Sequence, residues 1–272
     1  MTAAVATRDL ATAPPERSRL AWTVADAAAI TRRNLRHVTR QPQLLIFSTV
    51  QPVMFVLLFN YVFGGAIDIP GVDRYIDFLI PGIFVQTTMF GATASGVGLA
   101  EDLGTGIIDR FRSLPMARSA VLAGRTLSDT VRTLFVVLLM TGVGSLIGFR
   151  FSAGLLPALG GLLLLLAFGF VFSWVAALVG LLAKSPEAAQ AGGFIWVFPL
   201  TFVSSAFVST ETMPGWLRAF ADRTPVTTTI DALRAMVLGG PTATPVLQSL
   251  AWLGAILAIA MPLAVRTYRK RT

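Results

Sequence analysis

Predominantly apolar stretches alternate with polar punctuation along the chain, near residues 44–63, 78–100, 127–149, 155–183, 191–208 and 247–265. Each approaches the roughly 20 residues that a helix needs to cross about 30 Å of hydrocarbon while pairing every backbone group within itself. The pattern predicts an all-α integral membrane protein with six transmembrane helices. The fifth stretch is the shortest and contains Pro199, Ser204 and Ser205, so a half-helix or re-entrant element fits it as well.

The polar intervals carry patterns of their own. Residues 1–19 are rich in Ala, Thr, Pro and Arg without periodicity, which predicts a disordered tail, and one domain then covers 20–272. Over 20–41, Arg32, Arg36 and Arg40 recur every fourth residue while Trp22, Ala28, Leu35 and Val38 can share a less polar side, the pattern of an interfacial amphipathic helix. Pro42 separates it from the first span. Residues 101–118, EDLGTGIIDRFRSLPMAR, set Ile107, Ile108, Phe111 and Leu114 at helical spacing against Asp109, Arg110, Arg112 and Ser113, with Pro115 as the stop. Such a helix is too apolar for a free linker and too charged for lipid. Between spans five and six, helices beginning at Pro214 and after Pro225 read as two short amphipathic elements at the outer surface, the second with a stripe of Ile230, Leu233, Met236 and Val237.

Charge fixes the expected orientation. With the N-terminus in the cytoplasm, 17 of the Lys and Arg residues fall inside and 5 outside, which favours both termini inside. That distribution accounts for the net charge of +8 without a nucleic-acid partner. Only 13% of residues are charged, against about 25% in soluble domains. No cysteine is present and His37 is the single histidine, which leaves no thiolate chemistry and little for a metal, and no catalytic constellation is evident. Arg greatly outnumbers Lys, a bias common in GC-rich bacteria, and the expected location is a bacterial plasma membrane.

Polar side chains within spans face protein or a wet cavity, because lipid does not satisfy them. Gln51 beside Pro52, Asn60, Gln86, Thr87, Ser204 and Ser205 are therefore candidates for a pathway, with Phe198 among the aromatics that cluster in spans one, two and five. Packing against neighbouring helices is the competing role for each. No span carries an acid or base at mid-membrane on this reading, and Asp129 and Arg132 are expected to pair at the cytoplasmic boundary of span three.

The order of elements, with the acid-led E-D-x-x-x-G-x-x-D-R-F-R-S-L-P-M-A-R motif between spans two and three, resembles the permeases of ABC type-2 exporters. Residues 198–240, FPLTFVSSAFVSTETMPGWLRAFADRTPVTTTIDALRAMVLGG, are similar to the same region of the daunorubicin-resistance branch of that family. The resemblance implies that residues 101–118 form a coupling helix that docks on a separate ATPase subunit, with Glu101, Asp109, Arg110, Phe111, Arg112 and Leu114 as contacts. It further implies two ATP-binding subunits holding ATP and magnesium, a second permease of the same or a homologous chain, and short outer helices that close the pathway.

The expected activity is then ATP-driven export of hydrophobic or amphipathic compounds, by a subunit without its own ATPase site. No G-x-x-x-x-G-K-[ST] phosphate loop occurs in the sequence. Export of a lipid or polysaccharide by the same architecture, and a non-transporting membrane scaffold, are the alternatives.

Overall fold

Pro42, which lacks an amide hydrogen to leave unpaired at a helix start, opens the first apolar helix. In a computed structural model, residues 28–32, 42–67, 69, 72, 74–105 and 118–271 are described. The expected tail, most of the 20–41 helix, and Asp109, Arg110, Phe111, Arg112 and Leu114 lie outside the described residues.

Helix α1 (Pro42–Leu58) runs on without a break into a π-helical turn, Phe59–Phe63. Helix α2 covers Tyr75–Gly104, α3 Arg118–Ile147, α4 Leu155–Leu182 and α5 Pro186–Phe202. Two short helices follow, α6 (Gly215–Ala221) and α7 (Pro225–Leu238), before the long α8 (Ala243–Arg271). All regular structure among the described residues is helical. Among the described residues, four helices, α2, α3 from Leu122, α4 and α8, are long and apolar enough to cross a membrane. At 17 residues, α5 spans only about 25 Å. It starts at Ser185, whose hydroxyl accepts the Ala188 amide at 3.2 Å, with Pro186 at the first helical position. It stops three residues after Pro199, and the chain turns through Ser204 and Ser205.

The start of α1, the end of α2, the start of α3 and the end of α8 share one end of the bundle, called here the lower end. At the bundle's centre, α2 and α4 run side by side. Their approach is set by Gly96 and Gly180: a Cβ on Gly96 would overlap the Ala176 carbonyl, and one on Gly180 would overlap the Gly96 carbonyl. Small residues permit such backbone contact where lipid supplies no hydrophobic drive for association. Around this pair pack α1, α3, α5, α7 and α8. The larger apolar cluster fills the upper two-thirds around Leu79, Ile83, Met89, Phe168 and Ile230. A smaller one at the lower end joins Ile30, Leu99, Leu122, Trp174, Leu181 and Tyr268. Ile30 is thus buried in protein, and Thr31 donates to the Gly124 carbonyl at 3.0 Å, so this part of the amphipathic N-terminal segment packs on α3.

One expectation is corrected at the upper end. The α6 helix does expose Trp216 and Phe220, but α7 is buried on several sides, through Val226, Thr227, Thr228, Thr229, Ile230, Ala232, Leu233 and Val237. Its threonines look polar in sequence, yet their hydroxyls are satisfied close by. Thr228 and Thr229 donate to the Pro225 carbonyl at 3.2 and 2.7 Å, and Thr229 also bonds Ser249 of α8. A hydroxyl spent on its own helix leaves a methyl-bearing surface that packs like valine.

Candidate functional site

A cleft of about 410 Å³ opens on one face of α2, with α1 and α3 on one side and α5 on the other. Its polar wall gathers Gln51, Gln86, Thr87, Thr88, Thr133, Gln190 and Arg132, and its apolar wall includes Phe55, Phe90, Phe194, Val136 and Val137. Three of the pathway residues expected from sequence, Gln51, Gln86 and Thr87, meet here. The others lie higher. Asn60 sits in the π-helical turn, where the chain bends so tightly that a Cβ on Gly64 would overlap the Asn60 carbonyl. Ser204 donates to the Thr201 carbonyl at 2.6 Å and Ser205 to Asp231 at 2.9 Å, both buried.

Phe198 links the two levels. From Phe90 and Phe194 in the cleft, ring contacts pass to Phe198 at 5.3 and 5.5 Å, then to Phe202 at 5.7 Å and Phe207 at 5.3 Å. Phe207 stacks on Phe59 at 4.5 Å, and Phe59 contacts both Phe55 of the cleft and Phe63 at the end of the π-helical turn. The phenylalanines recur every fourth residue, 55, 59, 63 on α1 and the π-helical turn that continues it and 194, 198, 202 on α5, so each set forms a stripe on one face. Phe207, in the turn after α5, joins the two stripes. The result is an aromatic run from the cleft to the upper end.

On the α2–α3 side, glycines make room for cations. A Cβ on Gly98 would overlap the Arg125 guanidinium, and one on Gly91 would press on Arg132. Each pair is seven residues apart, two helical turns, so both arginines fall on one face of α3 and both slots on one face of α2. Arg125 pairs with Asp102 at 2.6 Å. Arg132 donates to the Gly91 carbonyl and lies 3.6 Å from Asp129, which accepts from the buried Ser95 hydroxyl.

The Asp129–Arg132 pairing expected from sequence is present, but its depth is different. Gly91 lies half-way along α2, so the Arg132 guanidinium reaches the middle of the bundle, where an unpartnered arginine costs about 2.5–3.5 kcal/mol on insertion scales. Helix α3 begins at Arg118 instead of near 127, which carries its first charged turns up alongside α2. The expectation that no charge stands at mid-span is corrected accordingly.

A second cluster closes the upper end. Arg234 of α7 lies 3.4 Å over the Phe78 ring, donates to the Phe78 and Ser205 carbonyls, and bonds Asp231 at 3.3 Å. Its side chain is 13% exposed. Burial pulls this guanidinium down to about 10, against the opposing pull of Asp231, so it remains protonated at neutral pH. Tyr75 adds a 2.8 Å bond from its hydroxyl to the Phe207 carbonyl. Three elements, the start of α2, the turn after α5, and α7, are thereby tied at one point. Sequence reading missed Arg234 because it placed α7 on the surface. It missed the arginine slots because only the Gly and Arg spacings, seven in each helix, announce them.

Comparison with known proteins shows the family of the chain. The sequence model of the family described as ABC-2 type transporter matches residues 26–238. The chain belongs to the ABC-2 type transporter family. Relatives within it include a daunorubicin resistance ABC transporter permease protein, DrrB1, of Streptomyces coeruleorubidus, 38% identical over 85% of this chain and 81% of that protein. A probable doxorubicin resistance ABC transporter permease protein, DrrC, of Mycobacterium tuberculosis is 28% identical over 92% and 90%. A putative transport permease of Cyanophora paradoxa, ycf38, is 26% identical over 78% and 73%. Of the residues expected to couple to an ATPase, Glu101 is described: it is exposed on the last turn of α2, its carbonyl accepting the Thr105 amide at 2.9 Å.

Proposed function

We propose that this chain is the permease subunit of an ATP-driven exporter of hydrophobic or amphipathic, drug-like compounds. In this reading α1 and α5 cross the bilayer along with the four long helices, giving six crossings with the lower end in the cytoplasm of a bacterial cell. Two permeases, identical or homologous, sit on two ATP-binding subunits that hold ATP and magnesium. Residues 101–118 dock on those subunits through Glu101, Asp109, Arg110, Phe111, Arg112 and Leu114.

The observation that carries the reading is the cleft joined to the aromatic run, in a chain of this family. Apolar rings along a route suit a flat, largely apolar cargo better than a polysaccharide, whose many hydroxyls would find few partners there. The drug-resistance relatives point the same way, and a scaffold has no use for a polar cleft at mid-bundle. Motion of the segment leaving α2 would pass into the bundle through Asp102 and Arg125, which bind the two helices that flank it.

Co-expression with its ATPase and reconstitution in inside-out vesicles provides the test. The reading expects ATP-dependent uptake of at least one flat, lipophilic compound from a panel that includes daunorubicin, lost in Phe111→Ala and Arg112→Glu together with the permease–ATPase complex on purification. Uptake and complex unaffected by both substitutions would overturn the docking assignment. Absence of any ATP-dependent transport across a panel of lipophilic compounds would overturn the exporter reading.

A further inference from the structure

The polar wall of the cleft is biased toward hydrogen-bond donors. Arg132 is part of that wall, whereas its partner Asp129 is not: the carboxylate is turned to the buried Ser95 hydroxyl on α2. The charge facing the cavity is therefore positive, although the pair as a whole is neutral. A guanidinium offers several N–H donors in a planar fork, and the Gly91 carbonyl and Asp129 occupy only part of it.

An independent feature sits one turn from Gly91. The Thr88 side chain, 2% exposed, lines the same cleft, and its hydroxyl has no hydrogen-bond partner. Buried hydroxyls are almost always satisfied, and this orphan, closed off from water behind the cleft wall, comes within reach of an acceptor in the cleft when the Thr88 side chain turns toward it. Its methyl group faces Gly169 of α4. Residues 88 and 91 share a face of α2, which puts the Thr88 hydroxyl and the Arg132 guanidinium on neighbouring ground. Phe55, Phe90 and Phe194 supply apolar ring surface beside them.

We propose that the cleft binds planar, mostly apolar molecules by an edge bearing acceptor oxygens, best an ionised carboxylate, seated against Arg132 and Thr88, and that Arg132 is the residue that sets this preference over amine cations. The inference rests on reading the cleft as part of the transport pathway. A carboxylate meets a charge-assisted, bidentate partner there, while an ammonium meets a guanidinium of its own sign in a site with little water to screen it.

Two probes with one ring system separate the cases: pyrenebutyrate and pyrenebutylamine, titrated by fluorescence against the purified permease–ATPase complex. Pyrenebutyrate is expected to bind at least about tenfold more tightly. The double variant Arg132→Gln with Asp129→Asn, which keeps the pair neutral, should abolish that preference, and Thr88→Val should weaken pyrenebutyrate about threefold or more without helping the amine. Thr88→Val barely changes side-chain volume, so it tests the site even if the double variant does not fold. Equal affinity of the wild type for both probes, or pyrenebutyrate affinity untouched by the variants, overturns the proposal. ATP-driven pyrenebutyrate uptake is measured separately: acid-selective binding without transport of any compound sinks the exporter reading and leaves this assignment standing.

Discussion

Asp102 Oδ2 and Arg125 Nη1 lie 2.6 Å apart, and the pair joins the helix that enters the 105–117 segment to the helix that leaves it. Both side chains are about four-fifths buried, at 23% and 19% exposure, so either alone would be left as a poorly solvated charge. Asp102→Ala or Arg125→Ala should cost about 1–3 kcal/mol, between the values for exposed and for buried pairs. The exchange Asp102→Arg with Arg125→Asp should recover part of the loss. Thermal melting in detergent measures the stability, and drug efflux in cells measures whether coupling falls with it.

Helix α2 meets α4 through backbone at Gly96 and Gly180. Gly96→Ala and Gly180→Ala should each destabilise by about 1–3 kcal/mol, because the atoms a methyl would strike are main chain and have no rotamer to retreat to. Gly254→Ala on α8, where nothing lies within 4 Å, serves as the control and should melt with the wild type.

Arg234 holds the upper end through two carbonyls, a carboxylate and a ring. Arg234→Ala strands those acceptors, at about 1–3 kcal/mol for each buried group left unpaired. Arg234→Lys should rescue little, since a point ammonium does not fork between Phe78 and Ser205. Protease sensitivity of the 203–224 region and the melting temperature report the effect, and sensitivity equal to wild type in Arg234→Ala would refute a fastening role.

Two helix starts depend on single hydroxyls. Ser185→Ala removes the cap of α5 and should cost about 1 kcal/mol. Thr224 caps α7 through the Thr227 amide and also bonds the Ala221 carbonyl, so Thr224→Ala should cost more, up to about 2 kcal/mol, with Thr224→Ser close to wild type. Melting curves of the three variants set the order.

Helices announced themselves wherever an apolar run and a breaker coincided. Pro42, Pro186 and Pro225 each open a helix, and the α5 segment ends after Pro199 as its composition suggested. Gln51, Gln86 and Thr87 were legible as a group because lipid tolerates none of them, and the cleft brings them together. What one-dimensional pattern lacks is depth and pairing. Arg132 reads as a boundary residue until Gly91 is seen to receive it, and the threonines of α7 read as surface until their hydroxyls are found on neighbouring carbonyls.

The glycine slots on α2 also limit how the bundle can move. Because Arg125 and Arg132 are seated two turns apart in notches of the same spacing, sliding α3 along α2 by a single turn would lift both guanidinium groups out of these vacancies and onto residues that carry side chains. The hairpin is keyed, like a toothed shaft in its sleeve. On the proposed coupling, a stroke delivered at its base is expected to tilt it as one arm, with the give on the opposite flank, where α5 and the end of α1 border the cavity.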